Sequence, residues 1–304
     1  MNTLVVKVGA TGDVVRTTPL LSRLKGQVTW LTASKNIVLL EGLNCDLRCF
    51  SWEERAKVST NHYDLVINLE DALDVAQFLK TVRCDEIFGA YLDFDGSLRY
   101  TANSQRWFDL SLISAHGKLR ADKLKFKNRQ TYQELIFDGL GFRFAGETYL
   151  LPEPIETGLS GDIAIAADAG AVWPMKKWAY YGELKQQLED RGLIVNVLPK
   201  RSSLLEHLAD VQNHGCLVGG DSLPMHFALG TGKRCVTLFT CTSPWEIYGY
   251  GVQRKIISPL LDEFFYKRGY DKRATTAITV DEVEIAVMEQ LEAVPARANS
   301  ATVK

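Results

Sequence analysis

Asp13 follows directly on a glycine turn, Val8-Gly9-Ala10-Thr11-Gly12, between a short apolar strand at Leu4-Val5-Val6 and a helix expected over Val14 to Lys25. A carboxylate there is aimed out of the carboxyl edge of a parallel sheet, where α/β proteins hold ligands, and can act as a general base. Aspartate is also a preferred N-cap, a role without chemistry. In the second half, Cys216-Leu217-Val218 reads as the end of a buried strand that opens through Gly219-Gly220 onto a helix at Pro224–Leu229, with Asp221 and Ser222 as an N-cap pair. Free backbone N–H groups and the positive end of the helix dipole then face one cleft, a geometry that binds phosphate. Standing alone, Gly-Gly-Asp-Ser is also an ordinary βα turn.

A third group, Trp173-Pro174-Met175-Lys176-Lys177-Trp178, follows the apolar strand Ile163–Ala167 and the turn Asp168-Ala169-Gly170. Lysines beside tryptophans commonly mark a solvated helix start whose stems lie on apolar surface. Ahead of the helix expected over Tyr180–Arg191, a lysine reaches the same crevice as the Asp221 turn and can neutralise a diphosphate. A basic run, Lys118, Arg120, Lys123, Lys125, Lys127 and Arg129, reads either as a solvated helix or loop or as a dock for an anionic acceptor.

These residues are carried on alternating strands and helices. Strands are expected at Leu4–Val8, Val28–Leu31, Leu65–Leu69 and Glu86–Gly89, with helices near Ile37–Leu40, Leu73–Thr81 and Gln130–Leu140 and an irregular segment over Tyr91–Lys118. Tyr149-Leu150-Leu151-Pro152-Glu153-Pro154 has the prolines and polarity of an interdomain linker, and the alternation restarts at Ile163. The pattern predicts a Rossmann-like domain over 1–150, another over 151–280, a closing helix over 281–293 and a disordered tail over 294–304.

Taken in order, the three segments resemble glycosyltransferase family nine, the lipopolysaccharide heptosyltransferases. The opening pattern is matched by Val5-Val6-Lys7 through Gly12-Asp13-Val14 to Thr18-Pro19, and the central one by Lys176-Lys177-Trp178. The donor-site pattern is matched by Asp221-Ser222-Leu223-Pro224-Met225-His226, and a later one by Thr242-Ser243-Pro244; Tyr63–Leu69 fits as well. The resemblance implies a GT-B architecture, two facing Rossmann-like domains with a central cleft, and inverting, metal-independent sugar transfer from a nucleoside-diphosphate sugar, with ADP-heptose as the expected donor. Asp13 would be the base and Lys176 the stabiliser of the departing diphosphate. Gly12, Lys177, Gly220, Asp221, Ser222, Leu223, Met225, His226, Thr242 and Ser243 would hold the donor, with Thr242 and Ser243 capping a further helix. Lys118, Arg120, Lys123, Lys125 and Lys127 would meet a glycan or glycolipid acceptor.

The departures are specific. Leu223 stands where the family has glycine, Thr240-Cys241 replaces Gly-Pro, and Pro199–Ser203 leads at once into the helix Leu204–Asn213, as if one αβ unit were lost. A non-catalytic sugar-nucleotide-binding or assembly protein of the same fold is the alternative these departures favour. A nicotinamide-dependent oxidoreductase is a weaker one, suggested by Gly9-Ala10-Thr11-Gly12 and by Tyr181 and Lys185. The third glycine of a dinucleotide turn would fall at Val15, and the strand Val28–Leu31 ends in Thr32-Ala33-Ser34 with no acid for a ribose.

With 304 residues, 46% apolar and 24% charged, the chain can bury one large core or two ordinary ones, and two domains are expected. A net charge of −2 argues against general binding to nucleic acid. The six cysteines form no CxxC pair and have no histidine at ligand spacing, so neither metal nor cofactor is expected. Met1–Lys7 reads directly into a strand, and no apolar run approaches the ~20 residues of a membrane span. A cytoplasmic location is expected, with peripheral attachment at the inner membrane surface left open, as is the oligomeric state.

Overall fold

Leu4, Val5 and Val6 are fully buried in β1 (Asn2–Val6), as are Ile163, Ala164 and Ile165 in β7 (Gly161–Ala166). Strands apolar on both faces need helices on both faces, and this requirement produces two mostly parallel sheets. The computed structural model describes residues 1–293; the tail at 294–304, expected to be disordered, lies outside the described residues.

In the first sheet the order is β3-β2-β1-β4-β5-β6, with β2 at Gln27–Thr32, β3 at Leu47–Ser51, β4 at His62–Asn68, β5 at Arg83–Leu92 and β6 at Leu98–Tyr100. The first five strands run parallel and β6 returns antiparallel along β5. Val5 registers with Trp30 on one side and Ile67 on the other, and all three share one buried cluster, while Leu4, Val6, Leu31 and Val66 fill the opposite face.

The second sheet is ordered β11-β10-β9-β7-β8 and is parallel throughout, with β8 at Val195–Val197, β9 at His214–Gly220, β10 at Arg234–Phe239 and β11 at Gln253–Ile257. It stops at the three-residue β8, from which the chain passes directly to the helix Leu204–Gln212 and crosses to β9. The shortened crossing is pinned by Asp210, fully buried, which accepts from Arg201 Nε at 2.7 Å, Arg201 Nη2 at 2.9 Å and Thr157 Oγ1 at 2.6 Å. The closing helix spans Val280–Glu292 and lays Val283, Ala286 and Val287 onto this second sheet.

Several local expectations change. The first helix is Thr11–Thr17, followed by a 3₁₀ segment at Thr18–Ser22, because Pro19 has no N–H to offer the Val15 carbonyl, which accepts the Thr18 hydroxyl instead at 2.7 Å. Leu47–Ser51 adds an edge strand whose mixed polarity gave no alternation to read. The basic run forms a helix, Lys118–Lys127, with Ala121 as its buried residue. Thr242 and Ser243 cap no helix: Pro244 leads into turns that reach β11.

Order reverses between β1 and β4 in one sheet and between β7 and β9 in the other, and at such points the loops leaving the strand ends diverge and leave a crevice. The helices Thr11–Thr17 and Leu223–Gly230 that follow β1 and β9 pack on one another, so the two crevices open toward a common space.

Candidate active site

A cleft of about 960 Å³ lies between the two sheets' carboxyl ends. Asp13, Arg16, Lys7 and Glu70 come from the first half, and Lys176, Asp221, Ser222, Leu223 and His226 from the second.

On the first wall, Asp13 sits in the opening turn of its helix, its N–H donating to the Ala10 carbonyl at 2.8 Å. It is therefore inside the helix and not its cap. Arg16 Nη2 lies 2.9 Å from one carboxylate oxygen and Lys7 Nζ 3.7 Å from the other. Burial works to raise the Asp13 carboxyl, but Arg16, Lys7 and His226 outweigh it and hold the group below the ordinary carboxylate range. Lys7 is itself tied to Glu70 at 2.8 Å, and the same Glu70 oxygen accepts from the N–H groups of Val8 and Gly9. That carboxylate fixes the glycine turn. Arg16 lies over the Tyr132 ring at 4.1 Å.

On the facing wall, Met175 and Trp178 are buried, and the Trp178 indole donates to the Ile278 carbonyl at 2.9 Å. With both neighbours anchored, Lys176 is delivered to the cleft, where its Nζ donates to the Asp221 carbonyl at 2.7 Å and to its carboxylate at 3.1 Å. Burial opposes the Asp221 charge, but Lys176, His226 and Arg16 prevail and the carboxyl falls to about 2. The helix Leu223–Gly230 starts here. Ser222 occupies the N-cap position without a side-chain capping bond; its hydroxyl donates back to the Gly220 carbonyl at 3.3 Å. The first-turn N–H groups thus stay open toward the cleft, an anion-binding arrangement. Gly219 and Gly220 are needed for close approach: a β-carbon on the first would meet Ala166 Cβ at 2.9 Å, and on the second the Lys176 carbonyl at 3.1 Å.

Gly12, Gly220, Asp221, Ser222, Leu223, His226, Thr242 and Ser243 all line the cleft with Asp13 and Lys176. Lys177 does not: it projects to solvent, 3.7 Å from Asp168, because the turn that brings Lys176 inward carries its neighbour out. Met225 is core, buried beside Phe227 and Leu229. Of the basic run, Lys118 and Lys125 line the cleft, whereas Arg120, Lys123 and Lys127 do not. Lys118 is already paired with Asp122 at 2.6 Å. Tyr181 is sealed in the second core, far from any cleft role with Lys185, which pairs with Glu189 along its own helix.

Other cleft residues escaped the sequence reading. Arg16, one turn on from Asp13 along its helix, lines it, as do Glu70, Trp173, Glu246 and Tyr266, brought there from separate loops with no spacing that marks them. Five buried polar atoms of the lining have no hydrogen-bond partner: Arg16 Nε, His226 Nδ1, Thr242 Oγ1, Ser243 Oγ and Glu246 Oε1. Four of the five come from the second half of the chain and face Arg16 across the cleft, and orphaned groups gathered in one cleft are the mark of a site built for a polar ligand. At the far, amino edge of the first sheet, His62, Asp64 and Asp85 converge on the surface, but Asp64 already accepts the Asn2 N–H at 2.6 Å and His62 pairs with Asp85 at 3.0 Å.

Comparison with known proteins agrees with this geometry. Residues 172–263, which carry the Lys176, Asp221 and Thr242 segments, match the model of glycosyltransferase family 9 (heptosyltransferase). No curated protein sequence matches. Among solved structures, the E. coli heptosyltransferase WaaC, determined with ADP, is 16% identical, with a TM-score of 0.63 over 95% of this chain and 100% of that one. E. coli ADP-heptose lps heptosyltransferase II is 15% identical, with a TM-score of 0.62 over 96% and 98%. A family 9 glycosyltransferase from Veillonella parvula is 16% identical, with a TM-score of 0.61 over 95% and 97%. At these identities the structures establish the fold, and the matched segment adds the family pattern on the wall that carries Lys176 and Asp221. With two sheets meeting at one polar cleft, the chain has the GT-B architecture of these heptosyltransferase structures, and its residues 172–263 are similar to glycosyltransferase family 9 (heptosyltransferase).

Proposed function

We propose that this protein transfers a sugar, a heptose, from a nucleoside-diphosphate sugar to an acceptor hydroxyl in a single inverting displacement. The observation that carries the reading is the placement of Asp13 opposite Lys176 and the open start of the helix Leu223–Gly230. A base on one wall and a diphosphate cradle on the other put the two ends of a displacement on either side of a sugar. The Asp13 carboxylate takes the proton of the attacking hydroxyl as its oxygen bonds to the anomeric carbon. Lys176 and the N–H groups at Ser222 and Leu223 stabilise the charge that gathers on the leaving diphosphate oxygen. Residues 1–150 hold the acceptor and 151–280 the donor. ADP is the nucleotide favoured by analogy with WaaC, solved with ADP and with ADP-2-deoxy-2-fluoro heptose. Among the described residues no helix is long and apolar enough to cross a membrane.

A second reading, binding without turnover, is favoured by one observation: the catalytic candidates already have partners, Asp13 with Arg16 and Lys7, and Lys176 with Asp221. Calorimetry with ADP and ADP-heptose, followed by product analysis in the presence of lipopolysaccharide-core acceptors, decides between the two. Binding with transfer supports the enzyme, binding without transfer supports the second reading, and no binding of either nucleotide removes the proposed donor.

A further inference from the structure

Glu246 is unusual among the acids of the cleft. Its side chain is 5% exposed, its Oε1 is buried without a hydrogen-bond partner, and among the described residues nothing donates to its carboxylate. The nearest cation, Lys125 Nζ, stands 3.8 Å away, beyond hydrogen-bond reach and itself drawn over the Tyr266 ring at 4.1 Å. Every other buried acid described above has a donor: Asp210 has three, Glu70 three, and Asp221 has Lys176. A buried carboxylate left unsatisfied is costly, and it persists where something outside the chain completes it.

The group is held in place. Its own carbonyl accepts the Tyr132 N–H at 3.0 Å, which ties it to the first half of the chain. Lys255 Nζ, from β11, donates to the carbonyls of Pro244 at 2.6 Å and Ile247 at 2.5 Å, and so brackets the turn that carries Glu246 on both sides. Trp245, next to it, is covered by Arg129 at 3.7 Å and by the Phe126 ring. The carboxylate is therefore presented by a turn fixed at three carbonyls, beside Thr242 Oγ1 and Ser243 Oγ, which are also unpartnered.

What would complete it follows from its chemistry. An ionised carboxylate accepts hydrogen bonds and offers none, and it repels a diphosphate. It lines the same cleft as Asp13 and Arg16 on one side and Lys176 and Asp221 on the other, so it faces the space between base and phosphate cradle. The ligand part that lies there and carries several O–H donors is the transferred sugar. We propose that Glu246 reads hydroxyls of the donor sugar, with Thr242 and Ser243 beside it, and so sets which sugar is transferred. This rests on the donor-binding function proposed above.

The test compares ADP with ADP-heptose as calorimetric probes on the full chain, in wild type, E246Q and E246A. The expected result is ADP affinity within about twofold in all three, and ADP-heptose affinity weakened at least about tenfold in E246A, the loss of one hydrogen bond to a charged group. E246Q, which keeps one acceptor oxygen, should fall between. Without ligand, the melting temperature of E246Q should be equal to or above that of wild type, because no internal hydrogen bond is lost and a buried charge is removed. Equal weakening toward both probes, or toward neither, overturns the proposal, and so does a lowered melting temperature with unaltered sugar preference. If wild type binds neither probe, the donor assignment itself fails and this inference fails with it.

Discussion

Gly12 and His226 meet across the two halves so closely that a β-carbon on Gly12 would stand 2.9 Å from the imidazole Cδ2. The contact joins the helix that carries Asp13 to the helix whose first turn faces Lys176. Gly12→Ala should therefore push the two walls apart or displace the buried ring. A loss of about 1–3 kcal/mol in stability is expected, as for other overpacked positions, with a larger fall in transfer than in ADP affinity. Combining it with His226→Ser should recover part of the stability; denaturant melts of the four proteins in the cycle measure that coupling. Additive effects would place the strain elsewhere.

Asp13→Asn keeps the size of the side chain and a partner for Arg16 but removes the base. Transfer should drop at least about a hundredfold while ADP-heptose affinity holds within a few-fold. Turnover near the wild-type level would leave Asp13 with only its structural pairing to Arg16 and Lys7.

Lys176→Ala and Lys177→Ala separate an inward lysine from an outward one. The first should weaken nucleotide binding and transfer together, since the ammonium meets the diphosphate in ground and transition states alike. The second should change neither beyond about twofold, because Lys177 is 62% exposed and faces Asp168. Calorimetry and initial rates on both variants check this; equal effects would mean that the turn at Pro174–Lys176 rearranges when the nucleotide binds.

His226 supplies a pH dependence of stability. Burial and the Arg16 charge lower its value from 6.5 to about 4, so the folded protein holds it neutral while the unfolded chain protonates it. A histidine with a depressed folded value contributes its full stability above pH 6.5 and loses it as the pH falls toward 4, about 3 kcal/mol in total. Melting temperatures from pH 7 to 4.5 should fall in wild type and fall less in His226→Gln. Parallel curves would assign the acid sensitivity to other groups.

Neutralising Lys125 should raise the acceptor KM and flatten the salt dependence of the rate, while Lys123→Ala and Lys127→Ala leave both unchanged, since only Lys125 of these three lines the cleft. Rates at several ionic strengths with a phosphorylated core acceptor are the measurement. Identical salt slopes in all variants would make the helix Lys118–Lys127 a solvated surface.

How much of this was legible in the chain itself differs by element. Alternation of buried apolar runs with helical segments, the glycine turns at Gly12 and Gly219-Gly220, and the ordered motifs around Asp13, Lys176 and Asp221 are local properties, and local sterics and burial determine them. They suffice for two parallel sheets and for the motif residues that line the cleft. The inward turn of Lys176 against the outward turn of Lys177 depends on Met175 and Trp178 finding their cores, with the Trp178 indole reaching Ile278 a hundred residues on. Asp13 takes its partners Arg16 and Lys7 from nearby in the chain, but the Glu70 that holds Lys7, and the approach of Lys125 to Glu246, likewise join elements distant in the chain. Spacing carries no trace of such partners, because their charge and burial are set by which strand ends the two sheets bring face to face. Sequence alone therefore determined the elements and their candidate chemistry; only the tertiary structure decided which side chains share a cleft and which of its buried polar atoms are left for a ligand.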